Sequence, residues 1–327
     1  MDEQQTPTAQ AATRHSAPPR ASSPGWWQGG DGRVRPLWRA VMFFVVAGFL
    51  AVVSTQGLVR LLDLIWPGTR ATLAGSNVPP PGLGAVLYAT INAVILLVSW
   101  LFLSALDQRS FRTLGISFYP GWAREFLLGA AMGVALMLAV AGTLVAGGWV
   151  QYTGWTADAS AALPGALGFA LFLLLPAAAE EFMLRGYLFQ RLLESWGQWG
   201  AIVALALVFG LGHLNNPSVT ALSTANTVLA GVLLAVAYLK TRALWLPTGL
   251  HWAWNAFMGP VLSLPVSGLR AGPPLFEVRL AGPEWLSGGN YGPEGSIVLT
   301  VACAGTMVLL WRSRWLTPSP AMQEVLQ

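Results

Sequence analysis

Two adjacent carboxylates and an arginine, Glu180, Glu181 and Arg185, lie in an otherwise apolar run of helix length, Pro176-Ala-Ala-Ala-Glu-Glu-Phe-Met-Leu-Arg185. Ionisable side chains at membrane depth cost roughly 2.5–3.5 kcal/mol each on insertion scales, so a cluster of this kind has to be paired or hydrated. Residues four apart share a helix face, so Glu181 and Arg185 can meet as an ion pair in the favoured order, acid first. Glu180, turned away by about 100°, is left to face a wet cavity, where it can do chemistry. Of three histidines, His15 lies near the N-terminus and the other two fall within or at the end of apolar runs. His213 closes Phe209-Gly-Leu-Gly-His213, and His251 opens His251-Trp-Ala-Trp-Asn255. Asn255 is one helical turn on from His251, on the same face. Pro176 and Pro247 each precede a polar residue of this set by four positions. A missing backbone bond there is expected to loosen the helix one turn ahead of Glu180 and of His251.

A carboxylate and an imidazole held close together can activate water as general base and later protonate a leaving amine. An imidazole N–H and the Asn255 amide can together donate to the oxyanion of a tetrahedral intermediate, worth about 3–4 kcal/mol per donor. The same residues leave a second chemistry open. Glu180, His213 and His251 are an adequate three-ligand zinc set with one position for water, Glu181 or another neighbour then serving as base. The chain has no His-Glu-x-x-His, no Gly-x-Ser-x-Gly and no phosphate loop, so the soluble hydrolase templates do not fit.

The elements that must position these residues are membrane helices. Of the 327 residues 54% are hydrophobic and 10% charged, against roughly 25% charged in an average soluble domain. The net charge of +4 sorts by loop, which is an orientation signal and not the mark of a nucleic-acid partner. One cysteine, Cys303, in an apolar run, excludes an internal disulfide and any multi-cysteine metal site and reads as a small buried hydrophobe. Residues 1–35, rich in Gln, Ala, Ser, Pro and Gly, read as a disordered cytoplasmic tail with no cleavable signal peptide. Residues 36–315 read as the transmembrane domain, an all-α bundle with its catalytic core at 165–258, and residues 316–327 as a C-terminal tail.

Eight spans are expected, at 38–59, 83–106, 125–148, 165–190, 199–214, 221–239, 243–264 and 294–311, each near the length the hydrocarbon core demands. The loop at 265–293, rich in Gly and Pro, reads as turn chemistry. With eight spans, fourteen basic residues fall on the side of the termini, and only Arg60, Arg70, Arg270 and Arg279 on the other. This places both termini in the cytoplasm. No internal repeat suggests an inverted-repeat transporter.

In this order and on successive spans, Glu180-Glu181-x-x-x-Arg185, Phe209-x-x-x-His213 and His251-x-x-x-Asn255 resemble the three motifs of the CAAX-protease and bacteriocin-processing (CPBP, or Abi) family of intramembrane endopeptidases, which includes the Ras-converting CAAX endopeptidase. The resemblance covers about residues 165–258. It implies a helical membrane fold with a cavity at the motif helices, Glu180 with His213 activating water for peptide hydrolysis, and an oxyanion site formed by His251 and Asn255. The expected partners are the lipid bilayer and a membrane-associated peptide or protein, with no nucleic acid. Zinc remains open as a cofactor. Arg outnumbers Lys 17 to 1, which suggests a GC-rich bacterial genome, a bacterial cytoplasmic membrane and a substrate other than a prenylated CAAX protein. The competing functions are a non-catalytic immunity or scaffold protein, whose polar cluster only holds helices together, and a proton-coupled transporter using Glu180.

Overall fold

A computed structural model describes residues 26–29, 32–75 and 78–326; His15 and most of the predicted N-terminal tail lie outside the described residues. The described chain is mostly helical. Helix α1 (Pro36–Ile65) starts on a proline, whose fixed φ suits the first helical position. It is followed by α2 (Pro81–Phe102), which runs on through a π-turn to Asp107, and by α3 (Trp122–Ala146). Next come α4 (Ala159–Phe172), α5 (Leu174–Met183), a π-turn at Leu184–Leu188, and α6 (Phe189–Gly212). Helices α7 (Ala221–Thr241), α8 (Trp245–Ala256), α9 (Ile297–Arg312) and α10 (Pro320–Leu326) follow, with short helical turns at Thr69–Ala74 and Glu284–Ser287.

Among the described residues five helical runs are long and apolar enough to cross a membrane: Pro36–Ile65, Pro81–Asp107, Trp122–Ala146, Ala159–Gly212 and Ala221–Thr241. Large apolar side chains such as Phe49, Leu64 and Leu309 are exposed on the bundle surface, as a lipid-facing surface requires. The eight predicted spans are redistributed. The fourth and fifth fall within the single run Ala159–Gly212, which is interrupted at Gly186 (φ −75°, ψ −123°) and at Gly197 (φ 68°, ψ −175°). Gly197 occupies a region of φ/ψ essentially confined to glycine. The seventh is shortened to α8, twelve residues followed by a π-turn at Phe257–Val261 that contains Pro260. The eighth, at sixteen residues, falls short of the length of the five.

Two departures lie outside the spans. The Gly- and Pro-rich loop contains strand β2 (Phe276–Leu280), which pairs antiparallel with β1 (Val150–Trp155), Val150 opposite Leu280 and Trp155 opposite Phe276. Short alternating segments such as Phe-Glu-Val-Arg-Leu carry too few residues to outweigh neighbouring turn signals, so the pairing emerges only when the loop lies against residues 150–155. Beyond the last long helix, α10 docks Met322, fully buried, in one small cluster with Tyr119 and Ala243.

Polar contacts gather the loops into two ends. At one end Arg39 and Arg191 both pair with Asp107, Arg191 at 3.0 Å, while Arg109 pairs with Glu194 at 2.8 Å. Lys240 donates to the Trp311 carbonyl at 2.8 Å, and the Trp199 and Trp311 rings stack at 5.1 Å. The other end gathers β1, β2 and the segments after α6 and α8. There Tyr152 donates to the Leu262 carbonyl at 3.1 Å and Asn216 to the Ser267 carbonyl at 3.0 Å.

Helix α8 is held tightly against α3. A Cβ added at Gly129 would lie 2.1 Å from the Leu246 carbonyl oxygen, one at Gly249 2.1 Å from that of Phe126, and one at Gly133 2.5 Å from that of Leu250. Gly129-x-x-x-Gly133 is thus a small-residue seam that lets two backbones touch. Gly249→Val is expected to separate these helices, displacing His251 two residues on. The check is detergent-stable yield: it should fall, and a full yield would show that the seam does not hold the two helices together.

Candidate active site

Two of the helices that carry the catalytic candidates have a proline in their first turn. Pro176 is the third residue of α5 and Pro247 the third of α8; at the start of a helix a backbone N–H has no intrahelical partner anyway. Pro247 therefore marks where α8 begins, whereas Pro176 follows the one-residue interruption at Leu173 within the run Ala159–Gly212 and loosens a helix already under way. Glu180 and His251 each follow one turn later.

Glu181 is fully buried. Its Oε1 accepts from Arg185 Nη1 at 3.1 Å and from His251 Nδ1 at 2.9 Å. The expected ion pair is present, and Glu181 also acts on the histidine. By accepting the Nδ1 proton it fixes the orientation of the imidazole and leaves Nε2 free for other partners. Arg185, also fully buried, donates from Nη2 to the Gly231 carbonyl at 3.2 Å, and its guanidinium lies 4.7 Å from the centre of the Phe209 ring. Phe209 in turn contacts His213, ring centres 4.8 Å apart, and stands edge-on to His251 at 5.9 Å. One aromatic ring thus packs against three of the polar residues that the sequence singles out.

Glu180 differs from its neighbour. Its side chain is 40% exposed, and its Oε2 lies 3.8 Å from His251 Nε2. That oxygen is buried with no hydrogen-bond partner in the protein, and buried carboxylate oxygens need one. Glu180, His213, His251 and Asn255 line a cavity of about 300 Å³ with apolar walls at Tyr88 and Phe172. His213 donates from Nδ1 to the Phe209 carbonyl of its own helix at 2.8 Å, the arrangement that leaves Nε2 as an accepting nitrogen. The histidine in contact with Glu180 is therefore His251, whereas His213 stands on the cavity wall.

A metal would need more convergence than this. Among the described residues no three His, Cys, Asp or Glu side chains are grouped so as to hold a metal ion. Of the expected triad of Glu180, His213 and His251 only Glu180 and His251 are adjacent, at 3.8 Å, and His213 stands apart on the cavity wall, so as placed the three do not converge on one ion.

One residue of the site escaped the sequence reading. Glu294 is buried on the cavity wall; its Oε1 accepts from Trp254 Nε1 at 2.9 Å and its Oε2 from the Ser267 hydroxyl at 2.8 Å and from the Ser267 backbone N–H. The Glu294 carbonyl also accepts from Asn226 Nδ2 at 2.8 Å. Trp254 lies between His251 and Asn255 on α8, and the Ser267 carbonyl receives Asn216, three residues past His213. Glu294 therefore clamps the segment after one motif to the helix of another. An acid among Tyr-Gly-Pro-Glu-Gly just ahead of an apolar run reads equally well as a helix-start residue, so nothing local marked it.

Comparison with known proteins adds one match. Residues 162–257 match the family model of the type II CAAX prenyl endopeptidase Rce1-like proteins, under a third of the chain but all three motifs. No curated protein and no solved structure matches the chain.

Proposed function

From an Rce1-like domain at residues 162–257, consistent with the CAAX-protease and bacteriocin-processing family and its hydrolase chemistry, we propose that this integral membrane protein is an intramembrane endopeptidase. It cleaves a peptide bond of a membrane-associated protein or peptide. The observation that carries the reading is Glu180: one oxygen buried without a protein partner on a cavity wall, 3.8 Å from an imidazole that Glu181 holds in place.

In this reading Glu180 takes a proton from water as its oxygen attacks the carbonyl carbon, and passes that proton to the departing amine. His213, with its Nε2 accepting, assists the removal. His251 and Asn255, one turn apart on α8, serve the developing oxyanion. Donation from His251 Nε2 requires the doubly protonated ring; Glu180 and Glu181 together then balance His251 and Arg185. The chain crosses the membrane eight times, the fourth and fifth crossings, at 165–190 and 199–214, both drawn from the run Ala159–Gly212 and its short continuation, with both termini in the cytoplasm of a bacterial cell.

The test is turnover. Purified protein incubated with peptides spanning membrane-proximal sequences should produce new termini, and a comparison of host membranes with and without the chain should reveal the same cuts. Activity should survive exhaustive chelation with less than one equivalent of zinc bound. Stoichiometric zinc lost together with activity on His213→Ala would replace the glutamate mechanism, while intact folding with no cleavage of any peptide would favour the immunity or scaffold role.

A further inference from the structure

We infer that the cavity opens on the membrane face opposite the basic-rich end of the bundle, so that the peptide it takes is an extracytoplasmic segment of an exported or membrane-spanning protein. The inference deepens the proposed function and rests on its orientation, but not on which side chain acts as base.

The two ends of the bundle differ in charge and in what they hold. The end tied through Asp107 carries the basic residues of segments 33–39, 109–112, 191, 240–242 and 312–314. Helix α1 leaves it at Arg39, and its thirty residues extend about 45 Å at 1.5 Å each, which carries Ile65 to the far end. Helix α8 leaves it at Trp245, whose indole donates to the Ser117 carbonyl at 3.1 Å. The second half of α6 leaves it near Trp199, which stacks on Trp311. All three run toward the end that holds the sheet.

The cavity belongs to that sheet end. Its wall is built from Pro79, after α1; His213 and Asn216, after α6; Ser267, after α8; and Glu294, ahead of α9. No residue of the basic segments lines it. Among the described residues the sheet-end loops contain only Arg60, Arg70, Arg270 and Arg279 as permanent cations, and the same segments hold Asp63, Asp158, Glu277 and Glu284. Loops rich in Arg and Lys stay in the cytoplasm and loops poor in them are translocated, which sends the cavity mouth outward. A peptide reaches Glu180 from that side without dragging its backbone through hydrocarbon, where every unsatisfied amide costs several kcal/mol. A soluble cytoplasmic C-terminus would have to cross the bilayer first.

Single cysteines test this in the full chain, because Cys303 is fully buried and leaves the wild type as the blank. Thr153→Cys and Asn215→Cys sit on exposed positions of the sheet end, and Ser110→Cys on an exposed position of the basic end. A membrane-impermeant maleimide applied to intact bacterial cells should label the first two and spare the third, and sealed inverted vesicles should give the opposite pattern. Label on Ser110→Cys alone from outside would show the orientation reversed. All three labelled from one side would show that the two ends are not on opposite faces. Either result overturns the inference, and the two are told apart without any activity measurement, so the protease reading stands or falls separately.

Discussion

Glu180→Gln keeps its folded yield and loses hydrolysis. Glu180 makes no ion pair with Arg185, and its side chain is 40% exposed on the cavity wall, so an amide of the same size leaves the packing and the buried Glu181–Arg185 pair intact. What it removes is the proton acceptor. General-base catalysis contributes about 10²–10⁴-fold, and the cleavage rate should fall by at least that much while monodisperse yield in detergent matches the wild type. A variant that still cleaves peptides at the wild-type rate would end the proposed mechanism.

Glu181→Gln and Arg185→Met should do the reverse, acting first on the fold. Both side chains are fully buried and paired at 3.1 Å. Removing one partner of such a pair leaves an uncompensated charge and costs about 3–5 kcal/mol, a large part of the roughly 5–15 kcal/mol that keeps a protein folded. The yield of monodisperse protein should drop for both. Glu181→Gln adds a second loss, because its Oε1 also receives His251 Nδ1 at 2.9 Å. An amide can still accept that bond, but no longer balances a charged ring, so whatever folds should cleave more slowly than folded Arg185→Met. Yields equal to the wild type for both variants would remove the ion pair from the account of stability.

The sequence alone determined the chemistry-bearing set and the class of fold. The cost of charge in an apolar run singles out Glu180, Glu181 and Arg185 wherever the helix ends, and the four-residue spacings of Glu181 with Arg185 and of His251 with Asn255 depend on helix period alone. Tertiary structure decided what distant segments do to one another. Whether Glu180 meets His213 or His251 depends on how α8 seats against α3 through Gly129 and Gly249, a contact no local pattern encodes. The strand pair and the Glu294 clamp bring residues more than a hundred positions and twenty-seven positions apart into register, and hydropathy carries no signal for such pairings. The helix break at Gly186 was hidden inside an apolar run, whereas the one at Gly197 falls in the polar gap expected between the fourth and fifth spans, after residue 190 and before 199. Burial and helix period act residue by residue and so can be read from one chain, whereas the meeting of two loops is a property of the packed bundle.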